Sequence, residues 1–185
     1  MSLTPSTMLP LGTPAPAFRL PDTVSGQMLS LEQVRGGSAT VIMFLCNHCP
    51  YVQHLNAGLV QLAHDYAGRG VGFAAISSND ARHYPEDGPE PMRDTARRLG
   101  YPFPYLYDQT QDVARAYQAA CTPDFFVFDA GLRLAYRGRF DDSSPGNGKP
   151  VTGTELRTAL DALLAGQTPD PQQHPSLGCN IKWAR

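Results

Sequence analysis

The sequence has little of what membrane proteins, nucleic-acid-binding proteins and disulfide-framework proteins require. Its 185 residues include only four cysteines, too few for a disulfide scaffold. Fifteen basic residues against seventeen acidic ones give a net charge of −2, so we expect no nucleic-acid partner and no membrane-surface partner. No apolar run approaches the roughly 20 residues that a membrane-spanning helix needs. The apolar fraction of 42% is ordinary for a globular protein.

The length and the amino-terminal residues set the expected organisation. We predict a single domain over residues 10–185, preceded by an extended arm over residues 1–9, whose first three residues are compatible with an expression scar. The start of the chain lacks the basic and apolar regions of a secretory signal, so we expect a cytoplasmic protein. In that reducing compartment a cysteine pair is more often catalytic or metal-binding than structural.

The order of predicted elements indicates an α/β protein. Apolar runs predict buried strands over 41–45 and 71–76, and an apolar stripe predicts a helix over 50–66. A polar loop is expected over 77–91, followed by a helix, a short strand, a helix, a hairpin over 125–136 and a last helix. Asp108 with Gln111 and Thr152 with Glu155 resemble capping boxes of the last two helices. Early alternation of strands and helices followed by a hairpin predicts a mixed sheet flanked by helices, with a Pro/Gln-rich tail over 167–185.

The main chemical signal is Cys46-Asn47-His48-Cys49, which lies between a buried strand and a helix. Two cysteines at this spacing form and reopen a disulfide locally. Unpaired N–H groups and the helix dipole stabilise a thiolate at the helix start, and the thiolate is the species that attacks disulfides. Protonated His48 between the thiols would favour the reduced form and make the pair more oxidising.

The sequence leaves open which cysteine attacks. The turn exposes Cys46, which favours it as the nucleophile, with Cys49 as the resolving thiol. Pro50, however, is typical of the first helical position and would make Cys49 the N-cap, closest to the dipole. The alternative reading of the motif is half of a zinc site, but no second pair of ligands lies at compact spacing, so we expect no metal.

Thr122-Pro123 stands directly before the strand that begins at Asp124. Proline fits at a strand start because it cannot donate to the sheet. A cis bond here would leave the backbone of Thr122 free to pair with an extended peptide, so Thr122 and Pro123 are candidate substrate-binding residues. The alternative is an ordinary proline that begins a strand.

The motifs together resemble the thioredoxin superfamily. A strand, Cys-x-x-Cys and a helix are followed about 75 residues later by Thr-Pro, a strand, a hairpin and a helix. Residues 11–22 resemble the N-terminal segment of peroxiredoxins and of membrane-anchored or periplasmic thioredoxin-like reductases. Residues 44–52, 121–126 and 178–183 together resemble a bacterial peroxiredoxin-like branch, of the alkyl hydroperoxide reductase/thiol-specific antioxidant type. The resemblance implies a thioredoxin-like fold with a cis Thr122–Pro123 bond packed against the Cys46–Cys49 pair, and a redox-active disulfide as the only cofactor.

Two departures from these families affect the expected activity. Thioredoxins have Trp before the first cysteine and Gly-Pro between the two, where this chain has Leu45 and Asn47-His48. Histidine at this place is found in disulfide isomerases and oxidases. Peroxiredoxins have Thr three residues before the reactive cysteine. In this chain that position is Met43 if Cys46 is the reactive cysteine, and Cys46 if Cys49 is. The missing hydroxyl argues against peroxidase activity.

Cys121 and Cys179 have three readings: a second disulfide, a resolving thiol at Cys179, or two buried free thiols. The sequence as a whole predicts a thiol–disulfide oxidoreductase that acts on a protein or small-molecule disulfide and takes electrons from an unidentified donor. A thiol peroxidase, a metal-binding module and a non-catalytic thioredoxin-like adaptor are the alternatives.

Overall fold

A computed structural model describes residues 3–184 of the chain. Within that range the strands are β1 (Leu3–Pro5), β2 (Arg19–Pro21), β3 (Met28–Ser30), β4 (Ala39–Phe44), β5 (Val71–Ser77), β6 (Tyr105–Tyr107), β7 (Cys121–Thr122), β8 (Asp124–Asp129), β9 (Leu134–Gly138) and β10 (Leu177–Asn180). The helices are α1 (Leu31–Val34), α2 (Pro50–Asp65), α3 (Pro89–Leu99), α4 (Asp112–Ala116) and α5 (Thr154–Leu164), with a 3-10 turn at Pro85–Asp87.

The central sheet is mixed and confirms the predicted fold class. Its strand order is β6-β5-β4-β8-β9. The pairs β4–β5 and β5–β6 are parallel, and β4–β8 and β8–β9 are antiparallel. Every residue of β4 is buried, as an uninterrupted apolar run predicts for a strand covered on both faces. Its side chains alternate between two cores: Val41 and Met43 pack in one, and Ile42 and Phe44 in the other.

Helix α2 follows the predicted apolar stripe. Val52, Leu55, Leu59 and Leu62 are buried on the face that packs against the sheet. Pro50 stands in the first turn, so the helix begins directly after Cys49. No helix within residues 3–184 is long and apolar enough to cross a membrane.

The arm and the tail join in a second, three-stranded sheet with the order β1-β10-β7. Strand β10 lies between the other two and is antiparallel to both. The sequence predicted an extended arm and a tail, but it gave no sign that they pair with each other. The pairing ties both ends of the described chain to Cys121 and Thr122, the two residues of β7.

Two local predictions were wrong. The segment 77–91 is not simply a polar loop, because it contains the 3-10 turn, whose Asp87 is fully buried, and the first residues of α3. The two expected capping boxes do not form: the N-caps of α4 and α5 are Gln111 and Gly153, both in the left-handed backbone region. One additional turn of chain therefore separates Asp108 from its helix, although its carboxylate still accepts hydrogen bonds from the N–H groups of residues 113 and 114.

Candidate active site

The Cys46–Cys49 turn connects the end of β4 to the start of α2, at the centre of the sheet. Both side chains are buried, with Cys46 2% exposed and Cys49 0% exposed. Each thiol shifts the pKa of the other, as near neighbours do. The structure therefore brings the predicted pair together in a setting from which water is largely excluded.

Thr122 contacts both sulfur atoms of the pair. The peptide bond between Thr122 and Pro123 is cis. Cys46 Sγ lies 3.3 Å from the Thr122 hydroxyl oxygen, and the Cys49 thiol lies 3.3 Å from the Thr122 carbonyl oxygen. Thr122 stands 76 positions after Cys46 and 73 positions after Cys49, so the fold joins distant parts of the chain in one cluster.

Hydrogen bonds at the helix start favour the thiolate of Cys49. Cys49 is the N-cap of α2, and its pKa is lowered to about 5. The largest cause is the interaction with Cys46, which burial opposes and which Cys179 reinforces. The helix dipole at the N-cap position acts in the same direction as the interaction with Cys46.

Cys46 is held in its protonated form. Its pKa is raised because it donates its proton to Cys49, because it is buried, and because the Asp87 carboxylate lies nearby. The hydrogen bond with Thr122 acts in the opposite direction. Of the two thiols, Cys49 is therefore the one that ionises first as the pH rises.

His48, the predicted tuning residue, is bound by an aspartate that the sequence did not single out. The ring Nδ1 lies 2.5 Å from Asp87, and the ring stacks on Tyr84 with centroids 5.5 Å apart. Asp87 also accepts hydrogen bonds from the backbone N–H of Asn47, at 2.7 Å, and from the side chain of Asn79, at 2.7 Å. In the sequence, Asp87 is one acidic residue in a polar segment, and many exposed loops contain such residues. This pattern does not predict that Asp87 binds His48.

Cys46, His48 and Asp87 also offer sulfur, nitrogen and oxygen atoms that all lie within 4.8 Å of one another. Such a set is compatible with part of a metal site. The Asp87 oxygens, however, are already used by the hydrogen bonds that hold the turn. The expectation of no metal therefore stays a prediction.

Cys179 lies next to Cys49, and not next to Cys121. The two sulfur atoms of Cys49 and Cys179 are 2.7 Å apart. In the pairing of β7 with β10, Cys179 is opposite Thr122 and Cys121 is opposite Asn180. Opposed residues share a face and successive residues alternate, so Cys121 and Cys179 point to opposite faces. The Cys121–Cys179 disulfide, one of three readings, does not fit this register.

The strand edge at Thr122 is occupied by the chain itself. The sequence predicted that the Thr122 backbone would be free for an extended peptide, but β10 pairs there. Gly178 packs so closely that an added Cβ would lie 2.0 Å from the Thr122 carbonyl oxygen. The expectation of an open edge is therefore not met, because the carboxy-terminal segment fills it.

Comparisons with known proteins agree with this fold. The pattern of the AhpC/TSA family matches residues 11–137. An uncharacterized conserved protein from Geobacillus kaustophilus is 57% identical, with 100% of this chain and 97% of that chain covered and a TM-score of 0.98. A hypothetical protein from Sinorhizobium meliloti is 48% identical, with 98% of each chain covered and a TM-score of 0.95.

A more distant structure shares the fold alone. A thiol:disulfide interchange protein of the thioredoxin family from Chlorobium tepidum is 20% identical, with 83% of this chain and 97% of that chain covered and a TM-score of 0.64. A comparison with curated proteins finds no match. The family match spans well over half of the chain and includes Cys46 and Cys49 together with Thr122. The chain therefore belongs to the AhpC/TSA family and is a redoxin of the thioredoxin superfamily.

Proposed function

We propose that the protein is a thiol–disulfide oxidoreductase in which Cys46 and Cys49 form the redox pair. Its substrate is a protein or small-molecule disulfide, its electrons come from a thiol donor, and the pair itself is the only cofactor. The observation that carries this proposal is the position of Cys46 and Cys49 between β4 and α2, where each sulfur lies 3.3 Å from an oxygen of Thr122. The lowered pKa of Cys49 supports it.

The two thiols have different tasks in this proposal. The Cys46 thiol first passes its proton to Cys49, and the resulting Cys46 thiolate attacks one sulfur of the substrate disulfide. The substrate sulfur that departs takes this proton from Cys49, which becomes a thiolate again. The resulting mixed disulfide is then attacked at Cys46 by the Cys49 thiolate. The second substrate sulfur leaves, and the Cys46–Cys49 disulfide forms. Cys46 is the first cysteine of the turn and Cys49 is the N-cap of α2, which supports this order. The predicted exposure of Cys46 is not found, since both side chains are buried.

The low pKa of Cys49 favours the oxidising direction of the same exchange. A thiol of low pKa leaves readily as a thiolate when another thiol attacks its partner sulfur. Stabilising that thiolate stabilises the reduced pair, and a pair whose reduced form is stabilised is a stronger oxidant. His48 and Asp87 support the turn in both redox states by fixing its backbone.

A fluorescent peptide disulfide with glutathione as the donor tests the proposal. We expect turnover by the wild-type protein and none by Cys46→Ser. Cys121→Ser is the matched control, because Cys121 is also buried but faces away from the pair, and it should retain full activity. Full activity of Cys46→Ser would contradict the proposed role of Cys46.

One observation supports a thiol peroxidase as the second candidate. The sequence lacks the expected Thr three residues before either cysteine, yet the fold brings the Thr122 hydroxyl to 3.3 Å from Cys46 Sγ. A hydroxyl at this place could orient a peroxide toward the sulfur. If the protein is a peroxidase, Thr122→Val should slow peroxide consumption at least tenfold and slow disulfide exchange much less. Absence of peroxide consumption by the wild-type protein would remove this candidate.

A further inference from the structure

We propose that Cys179 is a third redox thiol, which exchanges with Cys49 so that a disulfide can move from Cys46–Cys49 to Cys49–Cys179. This inference rests on the proposed function, because it needs the Cys46–Cys49 disulfide as its starting state. It makes β10 an internal substrate strand, bound at the edge where an external peptide would otherwise pair.

The contact between the sulfurs is the first support. Cys49 Sγ and Cys179 Sγ lie 2.7 Å apart, and Cys49 also receives the hydrogen bond from Cys46. Cys49 is therefore the central sulfur of three. A central sulfur with a neighbour on each side is what exchange requires, because one neighbour attacks it while the other leaves.

Hydrogen bonds on both sides hold β10 in this position. Cys179 is opposite Leu3 of β1 and opposite Thr122 of β7. Before the strand, the Ser176 hydroxyl donates to the Pro123 carbonyl oxygen at 2.5 Å. After it, the N–H of Ile181 donates to the carbonyl of residue 120 at 3.1 Å. The Cys179 sulfur is thus placed by the sheet, and its approach to Cys49 needs no movement of a flexible tail.

Gly178 permits the close approach. Its backbone lies against the Thr122 carbonyl, where a side chain would meet that oxygen at 2.0 Å. Any larger residue would push β10 away from β7, and Cys179 away from Cys49. Glycine at position 178 therefore allows the Cys179 sulfur to reach Cys49.

The charges around Cys179 favour its ionisation only after Cys46 and Cys49 have formed a disulfide. The pKa of Cys179 is raised to about 12, and besides burial the causes are the hydrogen bond to Cys49 and the negative charge on Cys49. A Cys46–Cys49 disulfide carries no such charge, so both of these causes disappear when it forms. The nearby Lys182 ammonium, which favours the thiolate of Cys179, remains.

The step balances without an external oxidant or reductant. The Cys179 thiolate attacks Cys49 Sγ, the Cys49–Cys179 bond forms, and the Cys46–Cys49 bond breaks. Cys46 leaves as a thiolate and takes up the proton that Cys179 released. The protein remains oxidised by the same two electrons, while Cys46 becomes a free thiol again beside Thr122.

Disulfide mapping tests the proposal directly. Reduced protein is oxidised with an excess of glutathione disulfide, quenched with acid, alkylated and analysed by peptide mass spectrometry. In the wild-type protein we expect both Cys46–Cys49 and Cys49–Cys179 peptides. In Cys46→Ser we expect Cys49–Cys179 alone, and in Cys179→Ser Cys46–Cys49 alone. Cys121→Ser, the matched control, should give the wild-type pattern.

The outcomes separate this inference from the proposed function. If Cys46–Cys49 forms in the wild-type protein while Cys179 stays alkylatable there and in Cys46→Ser, the third thiol is excluded and the oxidoreductase proposal stands. If Cys46 never enters a disulfide, the oxidoreductase proposal and this inference both fail. The wild-type map tests both proposals in the unaltered protein, and Cys46→Ser then tests the Cys49–Cys179 pair by itself.

Discussion

The imidazole of His48 is bound to the carboxylate of Asp87, 39 residues further along the chain, at 2.5 Å. This contact ties the residue between the two thiols to the 3-10 turn before α3. The same carboxylate accepts the backbone N–H groups of residues 47 and 48, at 2.7 and 3.3 Å. The shape of the redox turn therefore depends on one buried acidic side chain.

Replacing this carboxylate should loosen the turn and activate Cys46. In Asp87→Asn a buried charged acceptor is lost, so we expect the free energy of unfolding to fall by about 2 kcal/mol. The negative charge that raises the pKa of Cys46 is lost as well, so its pKa should fall and its alkylation by iodoacetamide should become faster. Urea unfolding and timed alkylation measure the two effects.

Glu86→Gln is the matched control for that variant. Glu86 is adjacent in the chain, but its side chain is half exposed and lies 3.9 Å from the His48 ring. An exposed charge at this distance contributes little. Glu86→Gln should keep both stability and alkylation rate, and equal effects in the two variants would refute a special role for Asp87.

Thiolate absorbance should reveal the ionisation of Cys49. Because the pKa of Cys49 is lowered to about 5, reduced protein should gain ultraviolet thiolate absorbance as the pH rises through that value. The three neighbouring thiols titrate as a group, so the apparent midpoint belongs to the group. Cys49→Ser should remove the acidic transition, and Cys121→Ser should keep it. A first transition near the ordinary thiol value of about 8.5 would contradict this electrostatic account.

Asp124 should make the protein less stable as the pH rises from about 4 to 7. The side chain is fully buried, and burial raises its pKa from the ordinary value of 3.8 to about 7. Over this interval the unfolded chain releases the proton while the folded chain retains it, so stability present at low pH is lost. The loss approaches the order of 4 kcal/mol above pH 7.

Asp124→Asn should remove that dependence. The amide oxygen can still accept the Ser6 hydroxyl, which donates to Asp124 at 2.8 Å, while the group no longer ionises. Stability should then exceed that of the wild-type protein at pH 8, as measured by urea unfolding at several pH values. Asp94→Asn, at a side chain 72% exposed, is the control. A pH profile unchanged by Asp124→Asn would contradict the assignment.

The close approach of β10 to β7 predicts a strong effect at Gly178. Gly178→Ala would place a Cβ 2.0 Å from a backbone oxygen, so the strands must separate. We expect a loss of about 2 kcal/mol or more in the free energy of unfolding, typical of overpacking. Gly37→Ala is the control, because nothing lies within 4 Å of its added Cβ. Equal stability of the two variants would show that β10 tolerates displacement.

Features carried by short stretches of sequence could be predicted. The apolar run of β4, the stripe of α2 and the intervening cysteines place the pair at the centre of a mixed sheet, and Pro50 correctly makes Cys49 the N-cap. The capping prediction failed at Gln111, where the backbone turns into the left-handed region at φ 66° before the helix starts. A residue-type pattern does not encode that extra turn.

The contacts that complete the site join distant parts of the chain. Cys49 and Cys179 are 130 residues apart, and only the pairing of β10 with β7 brings them together. Strand β10 is short and contains a glycine and a polar residue, so it has no apolar alternation that would predict a strand. Asp87 likewise gives no local signal, since its burial results from packing between the redox turn and α3.

The most direct test of the oxidoreductase account is thiol trapping with mass spectrometry across a glutathione redox titration. We predict that Cys49 becomes protected reversibly, together with Cys46 or, in the molecules whose disulfide has moved, with Cys179. The midpoint should lie above the roughly −270 mV of thioredoxin and toward the roughly −120 mV of strong oxidants, because the Cys49 thiolate stabilises the reduced pair. If both thiols stay alkylatable across the titration, or if one thiol alone is oxidised to a sulfenic acid, the oxidoreductase account is wrong.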